Sequence, residues 1–280
     1  MKLCIIGSGV VGQATGIAFH MHKNDVIFYD TNKEKLSTLR NKGYNIAKSV
    51  LEAVHNSSLS FICVPTPLLN GHMDFSHVKA ATTEIAQALH RTQEYHVIVV
   101  RSTVLPSTTS KRIIPLLEEH SQLRAGDDFG VCMNPEFGRQ KSMLEDILNP
   151  KRIVIGEIDE RSGGILENAY APFNSPIFRT DLDTAEMIKY VANLFLATKI
   201  SFFNEIHMIC TKMGLKSHFI SEVVSLDPRI GDYGIHGGRP FEGLCLPKDL
   251  EAFMNFVKDE GLDPELLESV LRVNCKMNRT

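Results

Sequence analysis

Seven short, mainly apolar runs recur along the first two thirds of the chain: Lys2–Ile6, Val26–Tyr29, Leu59–Val64, Val97–Arg101, Phe129–Met133, Arg152–Gly156 and Pro176–Arg179. Each has strand length and is bounded by turn-forming residues. Between them lie stretches with helical periodicity: Gln13–Met21, Glu34–Lys42, Lys48–His55, Phe75–His90, a helix capped by Pro106-Ser-Thr-Thr109, and Ser162–Tyr170. Strands alternating with helices predict an α/β, doubly wound parallel sheet.

The pattern then changes. Thr184–Met213 contains neither Pro nor Gly, keeps helical periodicity throughout and meets Gly214 as a C-cap. Thirty residues correspond to about 45 Å at roughly 1.5 Å per residue. Its apolar positions, among them Leu194, Phe195, Phe202 and Phe203, predict a helix running through a core or a dimer interface. Phe219–Val224 is helical, Asp227–Pro240 is a glycine-rich loop, and helices follow at Leu250–Glu260 and from Pro264 to the end. The expected division is a nucleotide-binding domain over 1–181 and an all-helical domain, built on the long helix, over 182–280.

Composition narrows the function classes. With 43% hydrophobic and 22% charged residues and a net charge of −3, the chain has no basic excess to recruit nucleic acid or an anionic membrane. No apolar run is long enough to span a bilayer, and Met1 leads straight into a strand, unlike a cleavable signal. Six dispersed cysteines without a CxxC pair argue against a zinc site or a disulfide framework and match a reducing cytoplasm.

The chemistry starts at Gly7-Ser-Gly9-Val10-Val11-Gly12, between the first strand and its helix. Gly7 makes the tight turn, Gly9 lets a pyrophosphate approach backbone N–H groups, and Gly12 lets helix and strand pack closely. Asp30 ends the second strand, where a carboxylate binds ribose hydroxyls and repels a 2′-phosphate. The unit therefore reads as a Rossmann-type NAD site. Pro65-Thr66-Pro67, Thr103 and Glu136 follow successive strands and fall on one sheet edge; the prolines alone also fit an ordinary turn. Lys189 and Asn193 lie four apart and share a helix face, a pattern that by itself more often marks a surface lysine and a helix asparagine. Cys245, preceded by Gly243 and followed by Lys248 and Asp249, is either a bland loop cysteine or a nucleophile whose thiolate a nearby lysine stabilises.

Together these segments resemble the UDP-glucose/GDP-mannose dehydrogenase family. The resemblance rests on Gly7–Gly12, Cys63-Val-Pro-Thr-Pro67, Arg101-Ser-Thr103, Asn134-Pro-Glu-Phe137, Asn149-Pro-Lys-Arg-Ile-Val-Ile-Gly156, Ala185–Asn193, Asp227-Pro-Arg-Ile-Gly231 and Gly243-Leu-Cys245-Leu-Pro-Lys-Asp249. It implies a four-electron oxidation of a nucleotide sugar's primary alcohol to a uronate, using two NAD, with UDP-glucose the first substrate to test. Cys245 would carry a thiohemiacetal and then a thioester. Lys189 and Asn193 would stabilise the oxyanion, and Glu136, with Asp249 and a water on Thr103, would serve hydrolysis. Gly7, Gly9, Val10, Val11, Gly12, Asp30, Lys35, Pro65, Thr66, Thr103 and Gln140 would contact NAD. Glu136, Phe137, Lys189, Asn193, Phe241 and Gly243 would contact substrate. Arg229 would reach substrate in the neighbouring subunit of a homodimer built on the long helix.

The chain also departs from the family's pattern. Gln140 replaces an acid four residues after the glutamate, and Gly138 replaces a leucine. The segment between Asp30 and Cys63 is shorter and lacks a Glu-Pro-Gly-Leu stretch. The resemblance covers the first two of three domains, so the third, which grips the nucleotide, is expected to be missing. Two other readings stay open: a dehydrogenase of a different alcohol or aldehyde, and a non-catalytic NAD-binding fragment needing a partner chain.

Overall fold

The computed structural model describes residues 1–91 and 94–277. The chain separates into two compact units, one of residues 1–66 and 74–189, the other of 67–73 and 190 onward.

The first unit opens with β1 (Lys2–Ile6), α1 (Val10–Met21), β2 (Asp25–Tyr29), α2 (Lys33–Asn41), β3 (Asn45–Ile46), α3 (Val50–His55) and β4 (Leu59–Ile62). The helices start where the sequence supplies caps. Asn32 accepts from the backbone N–H groups of Glu34 and Lys35, and Ser49 from that of Glu52. A hairpin of β5 (Leu68–Leu69) and β6 (His72–Met73) groups with the second unit. The first unit resumes with α4 (Ser76–Leu89), β7 (His96–Val100), a π-helical turn (Thr109–Ile113) leading into α5 (Ile114–Ser121), β8 (Phe129–Met133), α6 (Met143–Leu148), β9 (Ile153–Glu157), α7 (Glu160–Tyr170) and β10 (Ile177–Asp181).

Eight strands form one sheet in the order β10-β9-β8-β7-β4-β1-β2-β3. The central strands are buried along their whole length, as apolar runs in a sheet covered on both faces require. Phe19 of α1 packs between Phe61, Tyr170 and Phe173, with ring centroids 4.9 to 5.2 Å away. Strand order reverses between β1 and β4, so the crevice beyond their carboxyl ends is the place where open α/β sheets bind ligands. The glycine turn follows β1 and Pro65-Thr66 follows β4.

The doubly wound sheet matches expectation, with one correction. β9 runs antiparallel to β8, and β10 parallel to β9, so the last two strands oppose the rest. The link from Met133 to Ile153 contains a six-residue α6, about 9 Å long. β9 starts beyond the edge where β8 ends and runs back beside it, pairing Gly156 with Met133 and Glu157 with Cys132.

α8 (Leu182–Met213) is the expected long helix, two residues longer at its start. In the second unit it is followed by α9 (Ser217–Ser225), α10 (Leu246–Asp259) and α11 (Glu265–Met277); the expected continuation to Thr280 lies outside the described residues. α10 begins four residues before the expected Leu250, because Pro247 in its first turn favours helix initiation. Tyr190 stacks on Phe253 at 5.3 Å, and the Asn255 amide donates to the Gly71 carbonyl (2.7 Å), tying the β5–β6 hairpin to α10. Among the described residues no helix is long and apolar enough to cross a membrane.

Candidate active site

The glycine turn has the form a dinucleotide needs. Gly7 has φ +97°, and a Cβ there would stand 2.7 Å from the Cys63 carbonyl oxygen; a Cβ on Gly12 would collide with the Gly7 carbonyl oxygen. Gly9 caps α1 without a side-chain bond, and nothing lies within 4 Å of where its Cβ would be. The space beside Gly9 at the N-terminus of α1 is therefore open, next to an exposed Val10 and a half-buried Val11, and a helix N-terminus favours an anion there. Asp30 Oδ2 accepts from the Ser8 N–H (2.6 Å), Oδ1 from the Asn32 N–H (2.8 Å), and Lys35 Nζ lies 3.5 Å away. A carboxylate offers about four acceptor positions, so Asp30 keeps capacity for hydroxyls. These residues fit the adenosine diphosphate half of NAD. Beyond β4, Pro65 is exposed and the buried Thr66 donates to the Thr103 carbonyl at 2.8 Å. Gln140 is exposed on a single 3-10 turn.

Glu136 and Lys189 meet in the first unit. Lys189 Nζ donates to Glu136 Oε1 (2.8 Å) and to the Glu136 carbonyl (2.6 Å); the second carboxylate oxygen accepts from the Gly138 N–H (2.7 Å). The Phe137 ring lies 5.7 Å from the ammonium. A side chain at Gly138 would overlap Met143, which fills the space a leucine would need. The departure from the family pattern is thus absorbed locally.

In the second unit Asn193 Nδ2 donates to Asp249 Oδ2 and Lys248 Nζ to Asp249 Oδ1, both at 2.6 Å. Asp249 is buried, and Cys245, exposed, caps the N-terminus of α10. Phe241 is buried and fixed by reciprocal bonds with the Asn274 amide; the exposed Gly243 has φ +89°. Arg229, also exposed, folds back on Asp227 at 2.6 Å. Among the described residues no group of His, Cys, Asp and Glu side chains could hold a metal ion.

Sequence reasoning missed three contributors. Ser8 lends its N–H to Asp30, and Gly138 lends its N–H to Glu136. Arg101 holds Asn134 by its side chain and its carbonyl. The first two act through the backbone, which carries no residue signature. Arg101 and Asn134 stand inside quoted motifs, and only their contact was invisible.

A glycine turn, a carboxylate closing β2 and polar strand ends on one sheet edge define a dinucleotide-binding fold. Comparison with known proteins fixes the group. Residues 1–55 and 41–174 match the NAD binding domain of the UDP-glucose/GDP-mannose dehydrogenase family, and residues 183–276 match its central domain. The chain is 35% identical to a GDP-mannose 6-dehydrogenase of Pseudomonas savastanoi pv. phaseolicola, over 98% of this chain and 68% of that protein. It is 36% identical to a UDP-glucose 6-dehydrogenase of Bacillus subtilis, over 98% and 63%. A UDP-glucose dehydrogenase structure from Pyrobaculum islandicum superposes with a TM-score of 0.93 at 34% identity, covering 99% of this chain and 68% of that one. The chain belongs to the UDP-glucose/GDP-mannose dehydrogenase family, whose members are NAD-dependent nucleotide-sugar 6-dehydrogenases; its cofactor is NAD and its substrate a nucleotide sugar.

Proposed function

We propose that this chain oxidises the primary alcohol of a nucleotide sugar to the carboxylate through a covalent Cys245 intermediate, with UDP-glucose as substrate. The observation that carries the reading is Cys245 itself, exposed at the N-terminus of the fourteen-residue α10 within the family's motif. A helix N-terminus favours negative charge, so it supports the thiolate as nucleophile.

NAD bound at the Gly7–Gly12 turn supplies the hydride acceptor, twice per substrate. The thiolate adds to the aldehyde carbon, and after protonation of the oxygen the adduct is a thiohemiacetal. Loss of its carbon-bound hydrogen as hydride, with the hydroxyl proton, leaves a thioester. Water then cleaves the C–S bond, releasing acid and thiol. Lys189 has three N–H groups, two of them engaged by Glu136, which leaves one for the developing oxyanion. Asn193, its amide held by Asp249, supplies a second donor. Glu136 takes the proton from the hydrolytic water, placed by Thr103, and Asp249 assists. Thr66, Lys35 and Gln140 serve NAD; Phe137, Phe241, Gly243 and a neighbouring subunit's Arg229 serve substrate.

GDP-mannose is the second candidate, because relatives acting on either sugar are equally similar to this chain. The homodimer belongs to the same reading. Val191, Phe195, Phe202, Ile209 and Met213 recur at four- and seven-residue spacing along α8 and are each about half exposed or more, an apolar stripe a partner would cover.

The test is NADH formation by purified protein with UDP-glucose, GDP-mannose, UDP-N-acetylhexosamines and free sugars. Two NADH per uronate from UDP-glucose is the expected result. NAD binding without turnover on any nucleotide sugar would overturn the reading.

A further inference from the structure

Arg101 closes β7 and stands in one of the family-like motifs, yet the chemistry above leaves it without a role. Only 5% of it is exposed, and among the described residues no carboxylate forms an ion pair with it. Buried cations are ordinarily paired, so one with only neutral partners calls for a reason. Those partners come from three separate elements. Nε donates to Thr15 Oγ1 of α1 (2.9 Å); Nη1 donates to the Asn134 carbonyl (3.1 Å), to Asn134 Oδ1 and to the Tyr170 hydroxyl of α7 (3.2 Å). Tyr170 in turn donates to Asn134 Oδ1 at 2.6 Å.

Everything converges on Asn134. Its N–H donates to the Val100 carbonyl (2.8 Å) and its amide to the Val154 carbonyl (2.7 Å), so it is fastened to β7, β9 and α7 and, through the guanidinium, to α1. Pro135 follows with φ fixed by its ring, and Glu136 comes next. Little freedom remains between the clamped residue and the carboxylate that Lys189 holds.

We propose that Arg101 is a positioning residue for the reaction, fixing Asn134 so that Glu136 is held against Lys189 in register with the cofactor helix α1. The proposal rests on the acid/base role given to Glu136 above. The planar fork of arginine bonds Thr15 and Asn134 simultaneously, and a lysine ammonium cannot reproduce that geometry.

The experiment compares Arg101→Lys and Glu136→Gln with the parent protein in kcat, in the pH profile of kcat, and in NAD affinity by calorimetry. Arg101→Lys is expected to keep NAD affinity within about threefold, to lower kcat roughly 10- to 100-fold, as ångström-scale misplacement does, and to move the pH limb that Glu136→Gln abolishes. A folded Arg101→Lys with parental kcat and pH limb overturns the positioning role. So does a loss confined to NAD affinity. Should Glu136→Gln keep the limb, the acid/base assignment falls instead. If Arg101→Lys does not fold, Thr15→Val and Tyr170→Phe, which each remove one strut, decide: a lowered kcat with the same displaced limb supports the role, and unchanged kinetics overturn it.

Discussion

Lys189 Nζ lies 2.8 Å from Glu136 Oε1, across 53 residues of sequence, with 4% and 7% of the two side chains exposed. A pair this deep is expensive to break from one side, because the remaining charge has no water to return to. Lys189→Met is expected to destabilise the protein by about 3–5 kcal/mol, read as a lowered urea midpoint. Adding Glu136→Gln in the same chain should recover most of that loss. A single variant as stable as the parent would show that the pair is solvated in solution.

Cys245→Ala should abolish the second oxidation. Uronate formation is expected to fall at least about a thousandfold, the scale on which removal of a covalent nucleophile acts, with NAD affinity unchanged because the glycine turn is untouched. Unchanged turnover would refute the thioester route.

Asp30→Ala removes the acceptor of the Ser8 N–H, 2.6 Å away, together with the ribose partner. NAD affinity should weaken about 10-fold or more, the loss of one charge-assisted hydrogen bond, while NADP binding holds or improves. Calorimetric titration with both cofactors checks this; an unchanged NAD/NADP ratio would count against Asp30 as the discriminator.

Two buried groups give stability opposite pH dependences. Burial, aided by the nearby Asp183 charge, pushes the Glu186 carboxyl from 4.5 up to about 7. Its folded pKa exceeds its unfolded one, so its contribution is full below pH 4.5 and is lost as pH rises to 7. At about 1.4 kcal/mol per pH unit this amounts to about 3 kcal/mol. Burial pushes His96 from 6.5 down to about 4, so its contribution is present above pH 6.5 and lost as pH falls toward 4. The two oppose one another through the acid range. Relative to the parent, Glu186→Gln should therefore gain stability between pH 5 and pH 8. A parallel pair of urea-midpoint profiles would rule this out.

Phe202→Asp places a charge in the exposed apolar stripe of α8, where the side chain is 56% exposed. Sedimentation should show a dimer for the parent chain and a monomer for the variant, with little change in the monomer's own stability. A parent chain that sediments as a monomer would remove the homodimer from the proposed function.

Local signals carried much of this protein. Gly7, Gly9, Gly12 and Asp30 form one contiguous unit whose spacing fixes its chemistry, and the absence of Pro and Gly from 184–213 announces α8. α2 and α3 start just after the caps Asn32 and Ser49, at Lys33 and Val50, one residue before and two residues after the expected Glu34 and Lys48, because a cap acts on neighbouring N–H groups. Tertiary structure decided what depends on distant partners. The antiparallel direction of β9 is visible only in its pairing with β8, and Cys245 proved to be a helix cap once α10 began at Leu246. The Glu136–Lys189 and Asn193–Asp249 bonds join residues 53 and 56 apart, and Arg101 gathers Thr15, Asn134 and Tyr170 from three elements. Hydrophobic period and turn chemistry act within a few residues and can be read along the chain. Hydrogen bonds between remote side chains exist only after the strands and helices that carry them have packed.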